Sequence, residues 1–195
     1  MGMNFYVDIK RNYDPSLDNI FTDGYHDNSV TELSNGFVWQ NTFYKSMEEV
    51  NKDYSLNLHV GKSSFGWHFC LCIYPALGIN NLDDWSKLWN SPDVVIMDEE
   101  DRIITPEEMI DRITKRGDPE WDETKIKEFE QKTVDSYNML NESLGNHHQV
   151  YSYDEFLREN HATRGLHGLL AHGSPYYNYP PTGGTYDLTD DPNFS

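Results

Sequence analysis

Four side chains near the middle of the chain are of types that bind metals or take part in catalysis. They are His59, His68, Cys70 and Cys72. Imidazole nitrogens and cysteine sulfurs are the ligands that zinc prefers in proteins. Alternate side chains of a β-strand point to the same face, so a strand through 68–72 brings three of the four together. A neighbouring strand would add His59, and this pattern favours a metal-binding or catalytic site.

The same residues also have a structural interpretation. Structural zinc sites usually take their cysteines from a tight knuckle, whereas Cys70 and Cys72 are separated by a single residue. A free cysteine often packs as a small apolar side chain. Neighbouring strand positions do not offer disulfide geometry, and so few cysteines are typical of a reducing compartment. We expect no disulfide framework, and zinc is kept only as an alternative cofactor.

The chain holds further histidines but no motif that makes them catalytic. His167 and His172 lie in the C-terminal part and could join the central cluster. No serine or cysteine nucleophile is tied to them by a local motif. We therefore assign no catalytic residue, and we expect a protein that is not an enzyme.

A short loop, Gly61, Lys62, Ser63 and Ser64, is predicted between the two central strands. Its sequence resembles the end of a phosphate-binding P-loop, but the earlier glycine of that motif would fall at Leu56. A P-loop also needs a helix after it, and here a strand follows. The pattern predicts a hairpin loop in which glycine supplies backbone freedom.

Acidic residues outnumber basic ones by 33 to 15, which gives a formal net charge of −18. Such a surface repels nucleic acid and anionic membranes, and it attracts a protein with a basic surface. The alternative is that the charges only solvate helix faces. The candidate partner-binding residues are Asp98, Glu99, Glu100, Asp101, Glu107, Glu108, Asp111 and Trp121. Trp85 and Trp89 could add aromatic anchors, although core packing is favoured for Trp85.

Alternating and helical hydrophobic patterns predict the elements that must position these side chains. The N-terminal half is predicted to hold strands at 5–10 and 36–43, an irregular loop at about 12–35, a helical turn within 45–54, and hairpin strands at 56–60 and 65–74. The second hairpin strand should bury Trp67, Phe69, Leu71 and Ile73 on one face.

The C-terminal half is predicted to be mainly helical. It should contain a helix capped by Asn81, a hairpin at 94–97 and 102–104, a helix after Thr105, a long helix at 122–144 whose apolar stripe includes Leu140 and Leu144, and a helix after Ser152. An irregular tail is predicted at about 168–195. The pattern indicates an α+β fold: an antiparallel sheet built on hairpins, packed by helices of the C-terminal half, in one domain over 1–195.

No stretch of the sequence is apolar enough to span a bilayer, and the opening residues lack the apolar core of a signal peptide. We therefore expect a soluble protein that is not exported and does not act on membranes.

Several ordered sequence blocks resemble a family of small, uncharacterised proteins of tailed bacteriophages and prophages. The family core reads H-[IV]-G-K-S-S-x-G-W-x-F, and here it runs from His59 to Phe69. The further blocks are Ile96–Glu99, Ile104–Met109, Gly184–Leu188 and Phe194–Ser195. The resemblance implies a phage origin and action in the cytoplasm of an infected bacterium, and it implies no reaction. Many members carry a Cys-x-x-Cys knuckle before the core histidine; this chain has none, so their metal site does not carry over.

Three functional interpretations follow. The first is a phage accessory protein that binds a host or defence macromolecule through its acidic surface, as a nucleic-acid mimic or inhibitor. The second is a metal-binding or catalytic protein that uses the His/Cys cluster. The third is a structural protein associated with the virion.

Overall fold

The computed structural model describes residues 2–18, 28–64, 66–115, 122–164, 169–172 and 184–191. These residues form helices and mostly antiparallel strands, with the longest helix in the C-terminal half, which confirms the predicted α+β class. The strands are β1 (Met3–Lys10), β2 (Thr31–Leu33), β3 (Gly36–Trp39), β4 (Thr42–Tyr44), β5 (Ser55–Ser63), β6 (Phe69–Cys72), β7 (Val94–Asp98), β8 (Ile103–Ile104), β9 (Ala162–Arg164), β10 (Leu170–His172) and β11 (Tyr186–Thr189). The helices are α1 (Met47–Asp53), α2 (Leu82–Trp89), α3 (Pro106–Thr114), α4 (Glu123–Ser143) and α5 (Tyr153–Glu159).

The strands of the described residues form three sheets. A six-stranded sheet has the order β11-β6-β5-β1-β7-β8, so β8 is an edge strand. In this sheet β7 pairs antiparallel with both β1 and β8. The smaller sheets are β2-β3-β4 and β9-β10. The predicted hairpin around 98–101 is therefore confirmed.

Side-chain caps begin the helices where the sequence predicts them. Asn81, Thr105 and Ser152 each accept a hydrogen bond from the amide three residues further along, at 3.0, 3.1 and 3.2 Å. Such a bond satisfies one of the amides that the first helical turn leaves without a partner. These starts were predictable because a cap depends only on a few consecutive residues.

The region predicted as one strand at 36–43 is instead a hairpin of β3 and β4. Gln40 and Asn41 have φ angles of 45° and 60°. Positive φ at both central residues is what a tight two-residue hairpin turn needs, and asparagine tolerates it well. The prediction of an irregular loop over 12–35 was also wrong in part, because β2 lies within it and pairs with β3.

The predicted loop at 61–64 was wrong as well, because β5 continues through Ser63. Gly61 lies inside this strand with a φ of 149°, a value that residues with side chains rarely adopt. Glycine is thus required by the backbone, but in a strand and not in a turn. No phosphate-binding loop forms here, because the segment is extended and no helix follows it directly.

The tail that was predicted to be irregular contains two strands, β10 and β11. Most of the rest of this tail lies outside the described residues. Both pair with other strands, β10 with β9 and β11 with β6. A four-residue strand between turn-rich segments gives too short a pattern to be recognised in the sequence.

Contacts divide the chain into two compact units, which are described separately. The larger unit comprises residues 2–62, 71–110 and 189–195. Its core is made of side chains from the sheet and from α2 and α3: Phe5, Val7, Leu56, Leu58, Val60, Leu71, Trp85, Ile96 and Met109. The Trp85 indole donates to the Cys72 carbonyl at 2.7 Å, which ties α2 to the sheet. Trp85 and Trp89 are both buried, so they are core residues and not surface anchors.

The smaller unit comprises residues 63–70 and 111–188, with residue 1. Its core is a cluster of Val134, Val150, Tyr153, Phe156, Leu157, Ala162 and Leu170, against which Trp67 packs while half-buried. The predicted long helix α4 is confirmed, but its apolar stripe is only partly buried. Leu140 and Leu144 are 57% and 73% exposed.

None of the described helices combines the length and the apolar composition that a bilayer crossing requires.

Candidate protein-binding surface

The turn between β7 and β8, residues 98–101, is called the acidic turn here. It is organised by the Asp98 carboxylate, which is only 2% exposed as a residue. Its Oδ1 accepts hydrogen bonds from the amides of Glu100 and Arg102 at 3.1 and 3.0 Å, and its Oδ2 accepts one from the Arg102 guanidinium at 3.0 Å. Asp101 has a φ of 60°, which aspartate tolerates better than most residues. The backbone of the turn is therefore fixed before any partner arrives.

The hydrogen bonds around Asp98 outweigh the effect of its burial on protonation. Burial alone would raise the pKa of this carboxyl, because the charged form loses its water. The amide and guanidinium of Arg102, together with the Glu100 amide, favour the charged form and bring the pKa below its ordinary value. Asp98 is therefore a charged structural group of the turn.

Four of the predicted partner-binding carboxylates lie on the surface at or near this turn. Glu99, Glu100, Asp101 and Glu107 are exposed, the last in the first turn of α3. The Glu99 carboxylate also accepts hydrogen bonds from the Asn4 amide and side chain at 3.1 and 3.0 Å. Within the described part of the chain, no lysine or arginine forms an ion pair with these four residues. The four residues are exposed to water, and the charge of Glu100 also acts on the Arg102 guanidinium.

Other members of the predicted set are placed differently. Asp98 was wrongly predicted as a surface contact, because it is buried and bonded within the turn. Glu108 forms an ion pair with Arg102 at 3.5 Å, and Asp111 forms one with Lys115 at 2.7 Å. Their charges are partly compensated inside the molecule. Trp121 lies outside the described residues.

Two apolar side chains of the same sheet are exposed near the acidic turn in sequence. Ile103 of the edge strand β8 is 73% exposed, and Val95 of β7 is 41% exposed. Ile103 pairs with Met97, which in turn pairs with Tyr6 of β1, and both of these are half-buried. Alternation along the strands puts the partners of a pair on one face, so Tyr6, Met97 and Ile103 form a cross-strand row. Sequence reasoning missed this row, because apolar strand residues are normally assigned to the core.

The central histidines each have a described side-chain partner, and the two contacts lie in different units. In the larger unit, Cys72 Sγ lies 3.6 Å from His59 Nδ1, and the Tyr74 hydroxyl donates to the His59 carbonyl at 2.8 Å. In the smaller unit, His68 Nδ1 lies 3.3 Å from Asp187 Oδ1. Cys70 is buried and free of disulfide bonding, as is Cys72. Asp187 was not predicted as a partner of His68, and its only sequence signal is the Gly184–Leu188 block.

Neither pair has the arrangement of a metal centre. Among the described residues, no group of three or more His, Cys, Asp or Glu side chains is placed to hold a metal ion. Zinc normally needs three or four protein ligands. His59, His68 and Cys72 are each at most 5% exposed, whereas a catalytic base must reach its substrate. His167 and the side chain of His172 lie outside the described part.

The residues of the predicted loop belong to a strand and to the position that directly follows it. His59, Gly61, Lys62 and Ser63 belong to β5, and Ser64 follows it directly. His59 and Gly61 are buried, and Lys62, Ser63 and Ser64 are half-buried. Residues 61–63 are therefore part of the sheet.

Comparison of the chain with protein-family models, with curated proteins and with solved structures finds no match to any of them.

Proposed function

We propose that this chain is a non-enzymatic phage accessory protein that binds a basic protein of the bacterial host or its defence through the acidic turn and Ile103. The observation that carries the proposal is a hydrogen-bonded turn with exposed carboxylates, followed two residues later in the sequence by an exposed isoleucine. Acidic groups around an apolar contact match the usual anatomy of an interface, in which an apolar centre is surrounded by a polar rim.

The charges indicate the class of partner. Exposed carboxylates at Glu100, Asp101 and Glu107 attract lysine- and arginine-rich surfaces, and the net charge of −18 adds a long-range attraction. Basic surfaces of this kind are common on proteins that bind nucleic acid. The acidic turn would then occupy the place of phosphate groups, and duplex DNA would compete with this protein for the partner.

The preformed backbone adds to the expected affinity. A loop that is disordered when free loses conformational entropy on binding, and this loss weakens the complex. The Asp98 hydrogen bonds hold the acidic turn in one conformation beforehand. The charges of Glu100 and Asp101 are therefore presented in a fixed arrangement.

The experiment compares three forms of the protein as baits in host lysate. The first is the unaltered chain. The second, called the acidic-turn variant, carries Glu100→Gln and Asp101→Asn in the turn and Glu107→Gln in α3. The third, a control, carries Glu128→Gln, Asp135→Asn and Glu142→Gln on exposed positions of α4. Both variants remove the same number of charges, so a general effect of net charge acts on them equally.

The proposal predicts one partner that the unaltered and control baits retain, that the acidic-turn variant loses, and that elutes as salt rises above about 0.1 M, where screening becomes strong. Added duplex DNA should release the same partner. The proposal is contradicted if the acidic-turn variant retains every protein that the unaltered chain retains, or if both variants lose the partner to the same extent.

A further inference from the structure

The larger unit contains a cavity of about 490 Å³ that none of the predicted sites includes. It is lined by residues of β1, β5 and α2, and by residues just after β1, just before α2 and just after α2. Five of its lining side chains are apolar: Ile9, Leu56, Leu77, Ile79 and Leu88. Small-molecule sites commonly have this size, a mainly apolar lining and a few polar groups that orient the ligand.

Two cationic side chains also line the cavity, and they differ in their ionic partners. Lys87 forms an ion pair with Asp84, another lining residue, at 3.5 Å. Arg11 is half-buried and forms no ion pair with a residue that the structure describes. Asp14, close by in sequence, uses its Oδ1 to accept hydrogen bonds from the Ser16 amide and hydroxyl.

Arg11 is the cationic residue of the cavity that belongs to no ion pair of the described residues. Its charge also acts on Asp14, because the hydrogen bonds from Ser16 and the nearby Arg11 together lower the pKa of the Asp14 carboxyl. A guanidinium that is partly withdrawn from water and faces an apolar cavity leaves hydrogen-bond donors available. Arginine pairs with carboxylates through two parallel hydrogen bonds, which fixes the orientation of the bound group.

We propose that this cavity binds a small molecule with an apolar body and one carboxylate, with the carboxylate held by Arg11. The apolar body packs on Leu56 and Ile79, which line the cavity and are 0% and 6% exposed. Lys87 stays paired with Asp84, so the cavity takes a single negative charge and not two. This site is independent of the acidic turn and does not rest on the proposed function.

The test uses octanoate as the probe and follows the methyl resonances of the full chain by NMR. Octanoate should cause saturable shifts at Ile9, Leu56, Ile79 and Leu88, whereas octylammonium should cause none. The variant Arg11→Gln should weaken octanoate binding by about fivefold or more, because a charge-assisted hydrogen-bond pair is lost. Lys127→Gln, on an exposed position of α4, removes the same charge elsewhere and should leave binding unchanged.

A second variant blocks the cavity without altering any charge. Leu77 lines the cavity and is half-buried, so Leu77→Trp should fill the space and abolish the shifts even if Arg11→Gln fails to fold. The proposal is overturned if octanoate gives no saturable shift, if 1-octanol binds as tightly as octanoate, or if the folded Leu77→Trp protein binds octanoate like the unaltered chain.

Discussion

At the scale of single residues, Asp98 decides how the acidic turn is built. Its buried carboxylate accepts three hydrogen bonds, two of them from Arg102. Asp98→Asn replaces one acceptor oxygen with a donor and removes the charge. We expect this variant to lower the free energy of unfolding by about 1–3 kcal/mol, the usual range for a broken buried hydrogen bond to a charged group. Urea denaturation measures this free energy, and Asp93→Asn at an exposed position is the control. Equal denaturation midpoints for the two variants would contradict the role of Asp98.

The same carboxylate makes stability depend on acid pH. The pKa of Asp98 is lower in the folded protein than its ordinary value. Its contribution is therefore complete above the unfolded pKa of about 3.9 and is lost as the pH falls through the folded value. Denaturation curves from pH 6 downward should show a steeper loss of stability for the unaltered chain than for Asp98→Asn. Parallel curves would show that the group does not titrate as described.

Residue-scale predictions from sequence succeeded where the cause was local. Asn81, Thr105 and Ser152 were identified as caps because the signal lies within four consecutive residues. The burial of Asp98 was missed, because it depends on strand alternation placing the side chain on the core face of β7. The exposure of Ile103 was missed because apolar strand residues are normally assigned to the core, although Val95 of the inner strand β7 is exposed as well.

At the scale of elements, the β3–β4 turn is a place where the sequence is not optimal. Gln40 adopts a φ of 45°, although glutamine has no local compensation for positive φ. The double substitution Gln40→Asn and Asn41→Gly supplies the residue types that such turns prefer. It should raise the free energy of unfolding by about 0.5–1 kcal/mol, measured by urea denaturation. A decrease would mean that the turn needs the present side chains.

The smaller unit offers a second test at this scale, because its apolar residues have unequal burial. Leu144, the C-cap residue of α4, is 73% exposed, whereas Phe156 of α5 is 7% exposed in the core of the unit. Leu144→Gln should change the free energy of unfolding by less than about 0.5 kcal/mol. Phe156→Ala should lower it by about 3–5 kcal/mol. Thermal and urea unfolding distinguish the two, and a large effect at Leu144 would show that its side chain is covered in solution.

At the scale of the whole molecule, fold class could be predicted because hydrophobic periodicity and helix caps are spread along the chain. The candidate site could be predicted only in part. The sequence locates the acidic residues, but it cannot distinguish Glu100, which faces water, from Asp111, which is paired with Lys115. Strand alternation also does not reveal the individual partners, such as Cys72 for His59 and Asp187 for His68.

The central claim is that the exposed carboxylates of the acidic turn bind a basic protein. The most direct measurement is calorimetric titration of the retained partner into the unaltered chain, the acidic-turn variant and the α4 control at low and high salt. The account predicts that the acidic-turn variant binds about tenfold or more weakly at low salt, with a smaller salt dependence, while the control binds like the unaltered chain. Equal affinities and equal salt dependence for all three proteins would contradict it.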